Sequence, residues 1–161
     1  MTAPAVRFEA ADPESPPARD LIEAMIAEMQ DLYGIEGHIG VPLELSELAP
    51  PHGVYLVGRT GDPDKTPVAG GGLRTIGPGP GLGEIKRMYV VPDWRGRGIG
   101  EQLLSALEAA AVGLGMSRVR LDTGSRQSSA LHLYRKSGYE PVSNYNGNDH
   151  ASFWGEKRLT Y

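Results

Sequence analysis

One stretch constrains this chain more than any other. It runs Glu84-Ile85-Lys86-Arg87-Met88-Tyr89-Val90-Val91-Pro92-Asp93-Trp94-Arg95-Gly96-Arg97-Gly98-Ile99-Gly100. Residues 84–91 read as a strand, Pro92 to Arg97 as a tight loop, and Ile99 to Leu114 as a helix with one apolar face at Ile99, Leu103, Leu104, Leu107, Ala110, Ala111 and Leu114. A strand that turns through glycine into an amphipathic helix needs a sheet to carry it and a helical layer to cover it.

The rest of the chain fits that demand. Val6 to Ala10 reads as a strand, and Ser15-Pro16-Pro17 offers an N-cap and a first-turn proline for a helix over Leu21 to Tyr33 that Gly34 and Gly37 end. A short helix is expected at Glu44 to Leu48. Val54 to Val57 and Pro67 to Ile76 read as strands around a Gly61-Asp62-Pro63-Asp64 turn, and Gly70-Gly71-Gly72 weakens the second and lets a backbone or a ligand approach closely. Gly77-Pro78-Gly79-Pro80-Gly81 is a turn. Arg118 to Asp122 is a strand, and Gln127 to Ser137 a helix closed by Gly138. Tyr139 to Val142 and Ser152 to Leu159 are the last strands. The expected order is β-α-β-β-β-α-β-α-β-β, a mixed α/β layer fold. At 161 residues it makes one domain, 1–161.

The loop itself carries chemistry. Gly96, Gly98 and Gly100 remove side chains, so backbone N–H groups converge on one concavity at a helix N-terminus. Arg95 and Arg97 add two permanent charges suited to a pyrophosphate. A P-loop would need Gly-Lys-Ser/Thr, which Gly100-Glu101-Gln102 does not supply. A dinucleotide fold would use the same order, with Asp122 at the end of the next strand for a ribose. Its third glycine, however, would stand where Glu101 is, the Pro92–Arg95 insertion is long, and too few residues follow Gly100 for a doubly wound sheet.

Composition removes other classes. There is no cysteine, hence no disulfide and no thiol nucleophile. The four histidines, His38, His52, His132 and His150, lack metal-ligand spacing, so no metal is expected. A net charge of −4 with no overall basic stripe argues against a nucleic-acid partner. No segment approaches the roughly 20 apolar residues that span a bilayer. The first residues lack the pattern of a signal peptide, and a cytoplasmic location is the expectation.

The stretch 84–100 resembles the acyl-CoA motif of the GCN5-related N-acetyltransferases, Arg/Gln-x-x-Gly-x-Gly/Ala between strand and helix. Ala130-Leu131-His132-Leu133-Tyr134-Arg135-Lys136-Ser137-Gly138-Tyr139 resembles the same family's Ala-x-x-x-Tyr-x-x-x-Gly-Phe/Tyr segment. The resemblance implies a single mixed sheet flanked by helices whose two central strands splay apart, with acetyl-CoA as cosubstrate lying in the gap. It implies that Met88, Tyr89, Val90, Arg95, Gly96, Arg97, Gly98, Ile99, Gly100, Gln127 and Tyr134 contact the coenzyme. In that family an asparagine often stands where this chain has Gln127.

By the same resemblance, the Met88 N–H polarises the thioester carbonyl and Tyr134 is the general acid for the thiolate. Glu84 is the candidate base, directly or through water, and strand alternation puts it on one face with Lys86 and Met88. The absence of Cys and of a Gly-x-Ser-x-Gly elbow agrees with direct attack by a bound amine. Tyr33, Glu36, Tyr145 and Asp149 are candidate contacts for the acceptor, with the carboxylates holding a cationic amine and the rings packing on its carbon body. The expected activity is acetyl transfer to a small-molecule primary amine. The alternatives are a protein N-terminus or lysine as acceptor, a dinucleotide-binding module, and a non-catalytic acyl-CoA sensor. Family members often form homodimers, and the expectation here admits one.

Overall fold

A computed structural model describes residues 3–61 and 63–160; Asp62 of the expected turn lies outside them, as do Met1, Thr2 and Tyr161. The elements are β1 (Val6–Ala10), α1 (Ala18–Tyr33), β2 (Gly53–Thr60), β3 (Pro67–Thr75), β4 (Leu82–Val90), α2 (Ile99–Gly113), β5 (Arg118–Thr123), α3 (Ser128–Lys136), β6 (Glu140–Pro141) and β7 (Phe153–Arg158). They follow the expected order. The strands form one mixed seven-stranded sheet in the order β1-β2-β3-β4-β5-β7-β6.

Two departures are local. Ser15 does not cap α1: its hydroxyl donates to Asp12 Oδ2 at 2.9 Å, and Pro17 holds the cap position with no side-chain bond. The expected helix at 44–48 is a single 3-10 turn, Leu45–Leu48. Its start is held by a reciprocal pair between Glu44 and Glu47, which fills donors a short helix would otherwise leave open.

The sheet is covered on both sides. Leu103, Leu104 and Leu107 of α2 pack with Ile85, Val119, Leu121 and Tyr134 on one face. Leu21 and Ile22 of α1 pack with Leu48, Tyr55 and Val57 on the other. Burying each such side chain contributes about 1.5–3 kcal/mol. The glycine triplet serves this packing. A Cβ at Gly71 would come within 2.9 Å of Leu107 Cδ1, and one at Gly72 within 2.7 Å of Leu48 Cδ1. The close neighbours are therefore the protein's own side chains on both faces.

Two irregularities shape the centre. β4 and β5 run parallel but pair only from Leu82↔Arg118 to Glu84↔Arg120, and then part. Against β3 the register jumps from Gly72↔Lys86 to Gly70↔Tyr89, so Arg87 and Met88 together face Gly71. Arg87 takes the strain of that bulge with φ 61°. The extra residue reverses alternation: Glu84 and Lys86 lie on the α1 face, whereas Met88 packs with the α2 cluster. The expected common face for Glu84, Lys86 and Met88 is thus broken at Met88.

Candidate active site

The opening between β4 and β5 becomes a groove of about 680 Å³, walled by α1, β4, the glycine loop and α3. At one end, Gly96 (φ 74°) and Gly98 (φ 79°) adopt the left-handed conformation that a side chain disfavours. Gly98 is the N-cap of α2 and offers no side-chain acceptor. No described residue accepts the N–H of Gly96, Arg97, Gly98, Ile99, Gly100 or Glu101. Six consecutive free donors at a helix start are a cradle for an anion. Gly100 lines the groove, and a Cβ there would make an ordinary 3.5 Å contact with Leu133 Cδ2 of α3.

The two arginines are placed differently from the expectation that both face phosphate. Arg95 Nη2 lies 2.9 Å from both carboxylate oxygens of Glu28 on α1, and its Nε donates to the Val90 carbonyl at 2.8 Å. It also stacks over Tyr89 at 5.3 Å. It lines the groove, but with its charge already matched. Arg97 stacks over Trp94 at 4.8 Å, donates to the Asp93 carbonyl at 3.2 Å and does not line the groove.

The middle of the groove is the open edge of β4. Val91 N–H is taken by Val68 of β3, so by alternation the main chain of Val90 faces the gap. Tyr134, on α3, reaches in from the far side and donates to the Met88 sulfur at 3.7 Å. A thioether is a weak acceptor, so this phenol is held but readily redirected. Burial, with help from the Asp122 charge, raises its pKa above the ordinary tyrosine value and keeps it protonated. Gln127 joins the two walls: its Oε1 accepts from Tyr33 of α1 at 3.2 Å and from the Gly124 N–H at 3.0 Å.

Beyond Met88 a smaller cavity of about 100 Å³ continues on the α1 side, lined by Tyr33, Lys86, Arg87, Asp122, Thr123 and Asn148 among others. Glu84 lies beneath it, fully buried. Its Oε1 receives Arg74 Nη2 at 2.8 Å and Nε at 3.0 Å, and its Oε2 receives the Tyr145 hydroxyl at 2.7 Å and Asn146 at 3.1 Å. Lys86 bridges it to Asp122, at 3.9 Å and 3.4 Å. A carboxylate with both oxygens engaged and no exposure has no position open for an amine proton. Glu84, the expected base, is here the anchor of a buried network.

The acceptor contacts expected from sequence divide. Tyr33 lines the small cavity, fixed by Gln127 and by the Arg126 N–H that it accepts at 3.3 Å. Tyr145 is turned to Glu84, and Arg120 stacks on it at 5.0 Å. Glu36 and Asp149 are exposed and line neither cavity. Arg87 and Thr123, which sequence reading did not single out, line the small cavity, and so do Asn148 and His150. In the fold Asn146 and Asn148 donate to Asp122 Oδ2 at 2.6 Å and 3.1 Å.

Comparison with known proteins agrees with this geometry. The acetyltransferase (GNAT) family model matches residues 18–139, which include the strand, cradle and tyrosine helix. The chain is 37% identical over 151 residues to an IAA acetyltransferase from Azospirillum brasilense, covering 89% of this chain and 94% of the relative. Its fold matches a Klebsiella pneumoniae protein provisionally assigned as an acyl-CoA N-acyltransferase, with TM-score 0.78, 30% identity and coverage of 96% and 98%. A GNAT acetyltransferase from Elizabethkingia anophelis, solved with acetyl-CoA bound, has the same fold at TM-score 0.66 and 18% identity, covering 96% of this chain and 98% of that one. The splayed sheet, the free amides and the matched sequence lead to one conclusion: the chain belongs to the GNAT acetyltransferase family.

Proposed function

We propose that this enzyme transfers acetyl from acetyl-CoA to the primary amine of a small molecule, by direct attack while both are bound. The observation that carries the reading is the continuity of the two cavities at Met88 and Tyr134, which line both. A thioester in the groove and an amine in the small cavity would meet there.

The described residues fit the cosubstrate: the free amides of residues 96–101 suit its diphosphate, and the unpaired edge of β4 suits its amide-bearing arm. Acetyl-CoA supplies the activated acyl group. The Met88 N–H donates to the thioester oxygen as charge develops there. As the amine nitrogen bonds to the carbonyl carbon and the carbon–sulfur bond breaks, the sulfur gains a negative charge. Tyr134, kept protonated by burial, gives that sulfur its proton, and the proton that the acetylated nitrogen then sheds, through water, restores the phenol.

No carboxylate with a free oxygen lines the small cavity among the described residues, so the amine sheds its proton to water before attack. A cavity of about 100 Å³ favours a compact acceptor over a folded polypeptide surface. The similarity to an IAA acetyltransferase supports acetyl transfer without naming this chain's acceptor.

Thiol release from acetyl-CoA across a panel of small amines tests the reading. Turnover on at least one, with coenzyme-dependent thermal stabilisation, is expected. Stabilisation by NAD but not by CoA, or tight acyl-CoA binding with no turnover on any amine or peptide, would refute it.

A further inference from the structure

One cation at the small cavity stands outside the ion pairs around it. Arg74, Glu84, Lys86 and Asp122 join one another through contacts of 2.8 to 3.9 Å, and Arg74 also meets Glu47 at 3.0 Å. Both oxygens of Asp122 are engaged, by Lys86 on one side and by Asn146 and Asn148 on the other. Arg87 stands beside this set and outside it. It makes no ion pair or hydrogen bond with any described residue, and its Nε is shielded from solvent without an acceptor. Asp122 and Glu84 act on it only from beyond ion-pair distance.

A second group is unsatisfied in the same place. Thr123 Oγ1, at the end of β5, is buried without a partner, and Thr123 lines the cavity. Of the three buried side-chain atoms lacking a partner among the described residues, Tyr55 Oη belongs to the apolar core under α1 and these two belong to the cavity wall. His150 lines it as well. Its Nδ1 accepts the Gly40 N–H at 3.3 Å, which makes Nε2 the nitrogen that carries a proton for donation.

The backbone points the same way. Arg87 is the bulged residue of β4, in a left-handed conformation that glycine would adopt without strain, and glycine is absent there. Strain of this kind persists where the side chain has a use that glycine lacks.

We propose that Arg87 is the specificity-determining residue for the acceptor, which is a small amine carrying an oxyanion, a carboxylate or a phosphonate, bound by the guanidinium with Thr123 and His150 as auxiliary donors. The inference rests on the acetyl transfer proposed above and adds the acceptor's chemical class. A guanidinium presents a planar fork that matches a carboxylate, and an oxyanion in the cavity gives Arg87 the ion-pair partner it lacks among the described residues. The amine then lies on the Met88 and Tyr134 side, where the cavity joins the groove.

The test uses the full chain and matched acceptors: free amino acids and 2-aminoethylphosphonate against amino acid amides and ethanolamine, with thiol release as readout. A carboxylate preference together with poor use of the phosphonate identifies the first source, and the reverse identifies the second. Either acid should exceed its uncharged counterpart in kcat/KM on the order of 10- to 100-fold. Arg87→Met and Arg87→Gly should remove that preference through KM for the acid while leaving KM for acetyl-CoA unchanged. The glycine variant suits the backbone and keeps the comparison available should the methionine variant fold poorly. Equal use of acids and amides by the unaltered protein would overturn the proposal, as would a preference that survives in Arg87→Gly. If no amine turns over while CoA binds, the acetyl-transfer reading fails. Calorimetry of N-acetyl amino acids with CoA present then decides this site by itself: Arg87-dependent binding upholds it, and no binding overturns it.

Discussion

Arg95 and Glu28 close the groove across its mouth, with one guanidinium nitrogen 2.9 Å from both carboxylate oxygens. The pair ties α1 to the glycine loop at the place where diphosphate charge is expected. Both partners are substantially exposed, 43% and 35%, so the link is weak enough to exchange one anion for another. Glu28→Gln should therefore tighten acetyl-CoA a few-fold, while Arg95→Ala should weaken it by about tenfold, each with less than about 1 kcal/mol of change in stability. Calorimetry at two salt concentrations, paired with urea melts, checks both signs. Arg97→Ala should matter less than Arg95→Ala, since Arg97 does not line the groove.

Gly98 and Gly100 should respond differently to a methyl group. Gly98 sits at φ 79°, where alanine is strained by about 1–2 kcal/mol, whereas Gly100 is in the first turn of α2 with no such backbone demand. Gly98→Ala should lower the melting temperature and coenzyme affinity together. Gly100→Ala should leave or raise the melting temperature and lose affinity only. Scanning calorimetry with and without CoA separates the two.

Tyr134 should act through its proton. Tyr134→Phe is expected to lower kcat on the order of a hundredfold with little change in KM for acetyl-CoA. Because its pKa is raised, the acid form persists above the ordinary tyrosine value of about 10, and the kcat profile should show no loss from this group up to that pH. Equal losses in kcat and coenzyme affinity would assign it to packing instead.

Glu84 should behave as structure. Removing the charge of fully buried Glu84 leaves Arg74 with only Glu47, at 3.0 Å, and Lys86 with only Asp122. Glu84→Gln should cost about 3 kcal/mol in urea unfolding, while the kcat of the folded fraction stays within a few-fold of the parent. A stable variant with kcat lost and an altered pH profile would return Glu84 to the role of base.

The contrast between Tyr134 and Glu84 shows where a linear reading works. Element order was legible because periodicity and turn chemistry are local, and the cradle was legible because its glycines and helix start are contiguous. The faces around Met88 were not. They depend on a one-residue slip against Gly71, a property of two strands together. The same holds for the buried network. Asn146 and Asn148 look like turn formers until the fold carries them 24 and 26 residues back along the chain to Asp122. Arg87 hid for a related reason: what marks it is the lack of a partner, which no spacing can reveal.

The parting of β4 from β5 makes the sheet a frame with a rung left out, which in the proposed function the coenzyme fills. A ligand that completes the backbone pairing favours the native chain over the unfolded one by mass action, by about 2.7 kcal/mol at a hundredfold excess over Kd. The abundance of this protein in a cell should then follow its acetyl-CoA supply, with starvation for the coenzyme read out as faster proteolytic turnover.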